Sequence, residues 1–126
     1  MANFKTTDYI VGLAYGLLSS ITKPKYLFTK PSTSTAEEYV VINSLPINAD
    51  VMQKCYVNVN YHVKDIQEGV PDIVKMAAGS ALVLTAINTV SNTTYLIDFE
   101  SQEVIREDAL GEHYTNLRFS IKFINN

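Results

Sequence analysis

Cysteine, proline and glycine are scarce in this 126-residue sequence, which contains one, four and five of them respectively. The single cysteine, Cys55, excludes an internal disulfide and, with it, a small fold stapled by disulfide bonds. Positive charge is also in short supply, because ten lysines and arginines face thirteen acidic residues, for a net charge of −3. This balance argues against a protein that holds nucleic acid on a basic surface.

Long hydrophobic runs are absent as well. No segment approaches the roughly 20 apolar residues that span a bilayer, so no membrane partner is expected. Near the N-terminus an apolar stretch is interrupted by polar and small residues, with Lys5 as its only preceding base and no clear cleavage site after it. We therefore expect no secretory signal peptide, and a protein that is cytoplasmic or assembled from the cytoplasm.

The overall composition is typical of a single globular domain covering residues 1–126. Hydrophobic residues make up 47% of the chain and charged residues 18%, which excludes an intrinsically disordered protein. A chain of this size is expected to bury roughly two-thirds of its unfolded surface. That burial is enough for one core without a disulfide or a metal.

Two segments carry the periodicity of helices, residues 7–22 and residues 71–88. Thr6 or Thr7 is expected to cap the first helix, and Pro24 to end it. The second begins with a proline, which suits a first turn, and its run of small residues allows a close approach to a sheet. The predicted buried stripes are Ile10, Leu13, Ala14, Leu17, Leu18 and Ile21 in the first helix, and Ile73, Ala77, Ser80, Ala81, Leu84 and Ile87 in the second.

Five segments are predicted to be strands. The clearest is residues 53–64, where apolar side chains at odd positions alternate with polar ones at even positions, and residues 113–124 alternate in the same way. The other predicted strands are residues 26–29, 39–44 and 94–106. Between the first two of these, the polar residues 30–38 are predicted to form a mobile hairpin loop.

The predicted order of elements is therefore α-β-β-β-α-β-β, with no repeat and no linker. This order is typical of an α+β fold in which a mostly antiparallel β-sheet packs against two helices. The core is expected to include residues on the apolar phase of each element. These are Leu13, Leu17, Val57, Val59, Leu84, Ile97, Phe119 and Ile121.

Side chains that could carry catalysis or bind a metal are few and form no motif. A zinc site needs three or four converging ligands, whereas Cys55 and His62 lie seven positions apart on one strand and point to opposite faces. His62 and His113 are expected to be surface residues. The adjacent carboxylates and the scattered glycines form neither an acid–base pair nor a phosphate-binding loop. The sequence thus predicts no catalytic residue, no cofactor and no metal site.

The even-numbered face of the strand at residues 53–64 is polar but nearly uncharged. Tyr56, Asn58, Asn60 and His62, here called the polar row, offer neutral hydrogen-bonding groups. One interpretation is a solvated sheet face. The sharper interpretation is a subunit contact, because tyrosine is enriched and charge is depleted in the centres of interfaces. The polar row is therefore the candidate subunit interface.

Three segments carry a resemblance to a known family. They are EYVVINSLPIN at residues 38–48, KCYVNVNYHVKD at residues 54–65 and PDIVKMAAGSALVLTAI at residues 71–87. A helix precedes them and a pair of strands follows. In element order, size and hydrophobic pattern, residues 8–124 resemble the tail-completion, or tail-terminator, proteins of long-tailed phages and prophages.

This resemblance implies a small α+β subunit that forms a ring, typically a hexamer, at the end of the tail tube and joins tail to head. Members of the family are not enzymes and carry no cofactor. The expected partners are other copies of the chain, the tail tube protein and a head-connector protein. DNA is expected to pass through the channel without specific binding, which the acidic balance suits. The expected location is the host cytoplasm during assembly and then the neck of the virion.

Three other interpretations remain open. The first five elements match the order of a double-stranded-RNA-binding domain, but the second helix begins VPDIVK, with Lys75 as its only base for phosphate contacts. A small-molecule-binding or enzymatic α+β domain would need a pocket with inward polar groups, for which Tyr61 and His113 are the best pair. A different neck or tube protein of the same virion would share the sequence features of a terminator.

Overall fold

The computed structural model describes residues 6–45, 54–88 and 94–123. Within them the chain forms helices and strands in the order α-β-β-β-α-β-β, so the predicted α+β class is confirmed. The strand bounds agree with the predicted ones to within two residues, and residues 53 and 124 lie outside the described ranges. The elements are α1 (Thr7–Leu17), β1 (Lys25–Leu27), β2 (Glu38–Ser44), β3 (Lys54–Lys64), α2 (Ile73–Asn88), β4 (Tyr95–Glu107), a 3-10 turn (Asp108–Leu110) and β5 (Glu112–Phe123).

The five strands form one sheet in the order β1-β2-β3-β5-β4. β3 is central and pairs antiparallel with β2 and β5, and β4 pairs antiparallel with β5 at one edge. Both helices pack on the same face, where Val57 and Val59 of β3 enter the core. The alternation in β3 therefore assigned its two faces correctly. The opposite face, here called the outer face, carries the polar row.

The connection between β1 and β2 is not the predicted hairpin. The two strands run parallel, with Tyr26 opposite Val41. A parallel pair needs a crossover rather than a tight turn, because the chain must return to the starting end of the first strand. The connecting residues 28–37 make this return, and the Tyr26 and Ser34 hydroxyl groups are hydrogen-bonded at 2.8 Å. The mobility of residues 30–38 stays a prediction.

Helix α1 begins where expected and ends five residues early. The Thr6 hydroxyl accepts a hydrogen bond from the Tyr9 amide at 3.3 Å, which confirms the N-cap. The regular helix stops at Leu17, before the poor helix formers Ser19 and Ser20, and tight turns carry Ile21 back to the core. The buried stripe is rotated from the predicted one, since Val11 is fully buried while the two outer leucines are only half-buried. The buried residues of this segment are Ile10, Val11, Ala14, Leu18 and Ile21.

Helix α2 is rotated further from its predicted orientation. It begins at Ile73, not Pro71, and Asp72 precedes it with a carboxylate that accepts a bond from the Lys75 amide at 3.2 Å. Ile73 is 69% exposed, and of the predicted stripe only Ser80 and Ile87 are buried. The helix is apolar around most of its circumference, so periodicity alone does not select one face. The face that packs on the sheet consists of Met76, Gly79, Ser80, Val83 and Ile87.

Close contact between α2 and β3 explains this rotation. A Cβ atom added to Gly79 would lie 2.2 Å from the Tyr61 ring, so no other side chain fits here without displacing that ring. Glycine thus sets which face of α2 meets the sheet, as the predicted close approach requires. Of the predicted core, Leu13, Leu17 and Leu84 are half-buried at its margin. The other five, Val57, Val59, Ile97, Phe119 and Ile121, are buried as predicted. Neither described helix is long and apolar enough to cross a membrane.

Candidate functional site

The polar row lies on the outer face of the sheet, but most of it is not solvated. Tyr56 is half-buried, whereas Asn58, Asn60 and His62 are only 7–8% exposed. The expectation that His62 is a surface residue is therefore wrong. Long side chains on the neighbouring strands β2 and β5 flank these residues, and the β1–β2 crossover covers the His62 end.

The two asparagines of the polar row belong to a ladder of hydrogen bonds across the strands. The Asn58 amide donates to the Asn43 oxygen at 2.9 Å, and Asn58 accepts from Arg118 Nε at 3.0 Å. One step along β3, the Asn116 amide donates to the Asn60 oxygen at 2.7 Å. These contacts satisfy buried polar groups and hold the outer face in one arrangement.

His62 occupies the centre of a stack of three rings. The Tyr39 ring lies on one side and the Tyr114 ring on the other, each with its centroid 4.5 Å from the imidazole and nearly parallel to it. His62 Nδ1 lies 2.7 Å from Glu112 Oε1, and the Tyr39 hydroxyl donates to the same oxygen. The four residues, Tyr39, His62, Glu112 and Tyr114, are called the outer-face cluster below.

Glu112 is the electrostatic centre of the cluster. Burial is the largest single influence and raises the pKa of this carboxyl group. The hydrogen bonds from His62 and Tyr39, together with electrostatic attraction to His62 and Lys30, outweigh burial and hold the pKa below its ordinary value. An ionised carboxylate can only accept, so His62 donates through Nδ1. Burial first, and then the bond to Glu112, raises the pKa of Tyr39, which keeps the phenol protonated.

A hollow of about 450 Å³ lies over the outer-face cluster. Phe28 and Lys30 of the crossover form one wall, and the Lys30 ammonium lies 4.7 Å from the centre of the Tyr39 ring. The hydrogen bond of His62 leads to Glu112 rather than to a serine or threonine hydroxyl. A carboxylate that accepts from Nδ1 fixes the tautomer and the orientation of the imidazole.

Sequence reasoning missed Tyr39, Glu112 and Tyr114. The only indication in the sequence was that Tyr39 and Tyr114 lie at positions of their strands that face away from the core. Their meeting with His62 depends on register, since Tyr39 and Tyr114 are its direct cross-strand partners in β2 and β5.

The two residues of the alternative pair, Tyr61 and His113, are both buried. His113 was expected at the surface but is 8% exposed, and its Nδ1 lies 2.6 Å from Asp65 Oδ1. The buried Tyr61 hydroxyl donates to Glu38 at 2.9 Å. Each side chain is thus held by a different carboxylate.

Cys55 lies on the core face, opposite His62 as predicted, and burial raises the pKa of its thiol. Residues 6–45, 54–88 and 94–123 bring no three His, Cys, Asp or Glu side chains together as metal ligands.

A second surface, which the sequence did not reveal, lies on the helix side of the sheet. Here an apolar groove of about 550 Å³, called the α2–β4 groove, runs between α2 and the second half of β4. Ile73, Ala77 and Ala81 of the predicted buried stripe line this groove instead of the core. The Ser80 hydroxyl, at its base, has no hydrogen-bond partner among the described residues.

No protein-family model matches the chain, and no curated protein matches it significantly.

Proposed function

We propose that the protein is a non-enzymatic structural subunit of a phage or prophage virion, which forms a ring at the end of the tail tube and joins tail to head. The observation that carries the proposal is the element order α-β-β-β-α-β-β. The three segments that resemble tail-terminator proteins form β2, β3 and α2 of this fold. A hexamer is the ring size that the resemblance implies.

The outer face supports the proposal as an assembly surface. Its hydrogen-bond ladder and ring stack are formed within one subunit, so little side-chain entropy is lost when a partner docks. Tyr56, the least buried member of the polar row, presents its ring at the edge of this rigid area. We infer that Tyr56, Asn58, Asn60 and His62 contact a neighbouring subunit or the tail tube.

The proposed partners are other copies of the chain, the tail tube protein and a head-connector protein. The net charge of −3 suits a channel through which DNA passes without specific binding. The proposed location is the host cytoplasm during assembly and afterwards the virion neck.

The test mixes the purified protein with tail tubes from the same genome and images the tube ends by electron microscopy. The wild type is expected to form a ring at one end of each tube. Tyr56→Ala is expected to lose most of this capping, because it removes the least buried side chain of the polar row. Tyr9→Ala, a tyrosine of α1 that is 46% exposed, is the control and should cap normally. Tube ends that stay bare with the wild type would refute the proposal, as would tails that join heads without this protein.

The hollow over the outer-face cluster favours one other candidate, a small-molecule-binding or enzymatic domain. Tyr39, His62 and Lys30 surround it with rings and polar groups. A fragment screen monitored by the ring NMR signals of Tyr39 and Tyr114, which also line the hollow, tests this candidate. Binding that the His62→Gln variant loses would favour it, whereas unchanged signals throughout the screen would exclude it. A ring located elsewhere in the neck would instead identify another neck or tube protein.

A further inference from the structure

The sheet ends in two different edges. Within the part of the chain that the structure describes, β4 pairs only with β5, and β1 pairs only with β2. From Leu96 onward, the outer backbone groups of β4 pair with no other strand of the described residues, and this edge offers them to a partner strand. β4 is thirteen residues long, and an edge of this length is either protected against pairing or used for it.

The two edges carry opposite charge. At one edge the β1 segment, defined as residues 23–30, has three lysines and no acidic residue, a net charge of +3. Each ammonium group also has a contact within the subunit. Lys23 pairs with Glu38 at 3.4 Å, Lys25 donates to the Ile21 carbonyl oxygen at 2.5 Å and Lys30 lies over the Tyr39 ring. At the other edge β4 has one arginine and four carboxylates, a net charge of −3. The carboxylates are Asp98, Glu100, Glu103 and Glu107.

Apolar surface accompanies the charge at both edges. The α2–β4 groove is bordered by Ile73 and Val104, which are 69% and 60% exposed. At the other edge Leu27 and Phe28 are each 45% exposed. Phe28 has φ of 69°, a left-handed conformation that bulky residues rarely adopt. A cavity of about 150 Å³ accommodates benzene, so the groove of about 550 Å³ has room for the Leu27 side chain.

We propose that the β4 edge and the α2–β4 groove bind the β1 segment of a second copy, with Leu27 seated in the groove. This contact deepens the proposed function, and rests on it, by naming the surfaces that link one subunit of the ring to the next.

Charge decides between this arrangement and a two-fold dimer. Pairing β4 with its own copy would place two acidic strands side by side, and pairing two β1 segments would oppose lysines to lysines. Like charges across an interface are unfavourable, whereas β1 against β4 joins +3 to −3. The contact is thus head to tail, and a head-to-tail contact generates a closed ring or an open chain.

Two variants, each lacking one half of the contact, test the proposal. Leu27→Asp disrupts the β1 side and keeps the groove, whereas Val104→Asp disrupts the groove and keeps the β1 side. Val74→Asp is the matched control, because Val74 is 79% exposed on α2 and outside the groove lining. Self-association is measured by sedimentation equilibrium at protein concentrations up to about 1 mM. At this concentration even a contact with a millimolar dissociation constant is detected.

The wild type and Val74→Asp are expected to associate. Leu27→Asp and Val104→Asp alone should stay monomeric, with association weakened at least about tenfold, as for residues at the centre of an interface. A mixture of the two should form a heterodimer and nothing larger, because only one intact contact is left between them. The Glu103→Lys variant should associate more weakly than the wild type, and added salt should weaken the association of the wild type.

A wild-type protein that stays monomeric at about 1 mM would overturn the proposal, since even a contact with a millimolar dissociation constant would then be absent. Homodimers of either variant, or no heterodimer in the mixture, would also overturn it. The same variants separate this proposal from the proposed function. If Leu27→Asp and Val104→Asp both cap tubes normally, the edge contact is refuted and the terminator role is unaffected. If the proteins associate as expected but the wild type leaves the tube ends bare, the edge contact is supported and the terminator role is refuted.

Discussion

Gly79→Ala tests the contact that orients α2. The substitution adds one methyl group, which would lie 2.2 Å from two carbon atoms of the Tyr61 ring and 2.5 Å from a third. Tyr61 is 1% exposed, and its hydroxyl is bonded to Glu38 at 2.9 Å. The ring therefore has no room to move unless this bond breaks or α2 lifts from the sheet.

The expected change in the free energy of unfolding combines one stabilising contribution with two destabilising ones. Alanine stabilises a helix interior by about 1 kcal/mol relative to glycine. Overpacking a well-filled core costs about 1–3 kcal/mol, and the contact at Tyr61 is severe enough to lie at the top of that range. Losing the hydrogen bond between Tyr61 and charged Glu38 costs roughly 1.5–3 kcal/mol more if the ring is displaced. We expect Gly79→Ala to lower the free energy of unfolding by about 2 kcal/mol if the ring keeps its bond, and by up to about 5 kcal/mol if it does not.

Denaturant and thermal unfolding measure this change, which corresponds to a loss of roughly 10 °C in Tm for a domain of this size. Gly12→Ala is the matched control, because Gly12 lies inside α1, is exposed and has no atom within 4 Å of an added Cβ. It should stabilise the protein by about 0.5–1 kcal/mol. Equal effects of the two substitutions would refute the close approach. An undiminished cost of Gly79→Ala in a Tyr61→Leu background would show that the ring is not its cause.

Three further predictions concern buried groups. Val59→Asp places an unpaired charge at a fully buried position and should lower the free energy of unfolding by roughly 4 kcal/mol; wild-type-like melting would contradict the strand phase. The lowered pKa of Glu112 stabilises the fold above the ordinary carboxyl value of 4.5, so this stability should be lost as pH falls through the folded pKa. In denaturant unfolding between pH 7 and pH 3, the free energy of unfolding should fall less in Glu112→Gln than in the wild type. Burial and nearby carboxylates raise the pKa of Tyr39, Tyr61 and Tyr114 in the fold, so stability should fall as pH rises above 10. A free energy of unfolding that stays constant between about pH 10 and pH 12 would contradict this.

The strands and their faces follow from the sequence by itself. β3 and β5 keep a period of two over eleven and twelve residues. A shift of one residue would exchange every inward and outward side chain, so such a pattern admits only one assignment of faces. The order of elements and the α+β class follow from the same periodicities. The parallel pairing of β1 does not, because a three-residue strand carries no directional signal.

The orientation of α2 was decided by tertiary packing. A helix that is apolar around most of its circumference has several possible buried stripes, and periodicity cannot choose among them. The contact between Gly79 and Tyr61 selects the stripe that includes Met76 and Val83. The predicted stripe around Ile73 and Ala77 is apolar in the sequence but borders the α2–β4 groove.

The candidate sites also depended on the tertiary structure. The sequence identified the polar row, but not that His62 is buried against Glu112 or His113 against Asp65. These partners are 50 and 48 positions apart along the chain. Such pairs form because strand register and sheet order bring distant segments together. Local periodicity determines which face a side chain occupies, but the identity of its neighbours across the sheet depends on how the whole chain folds.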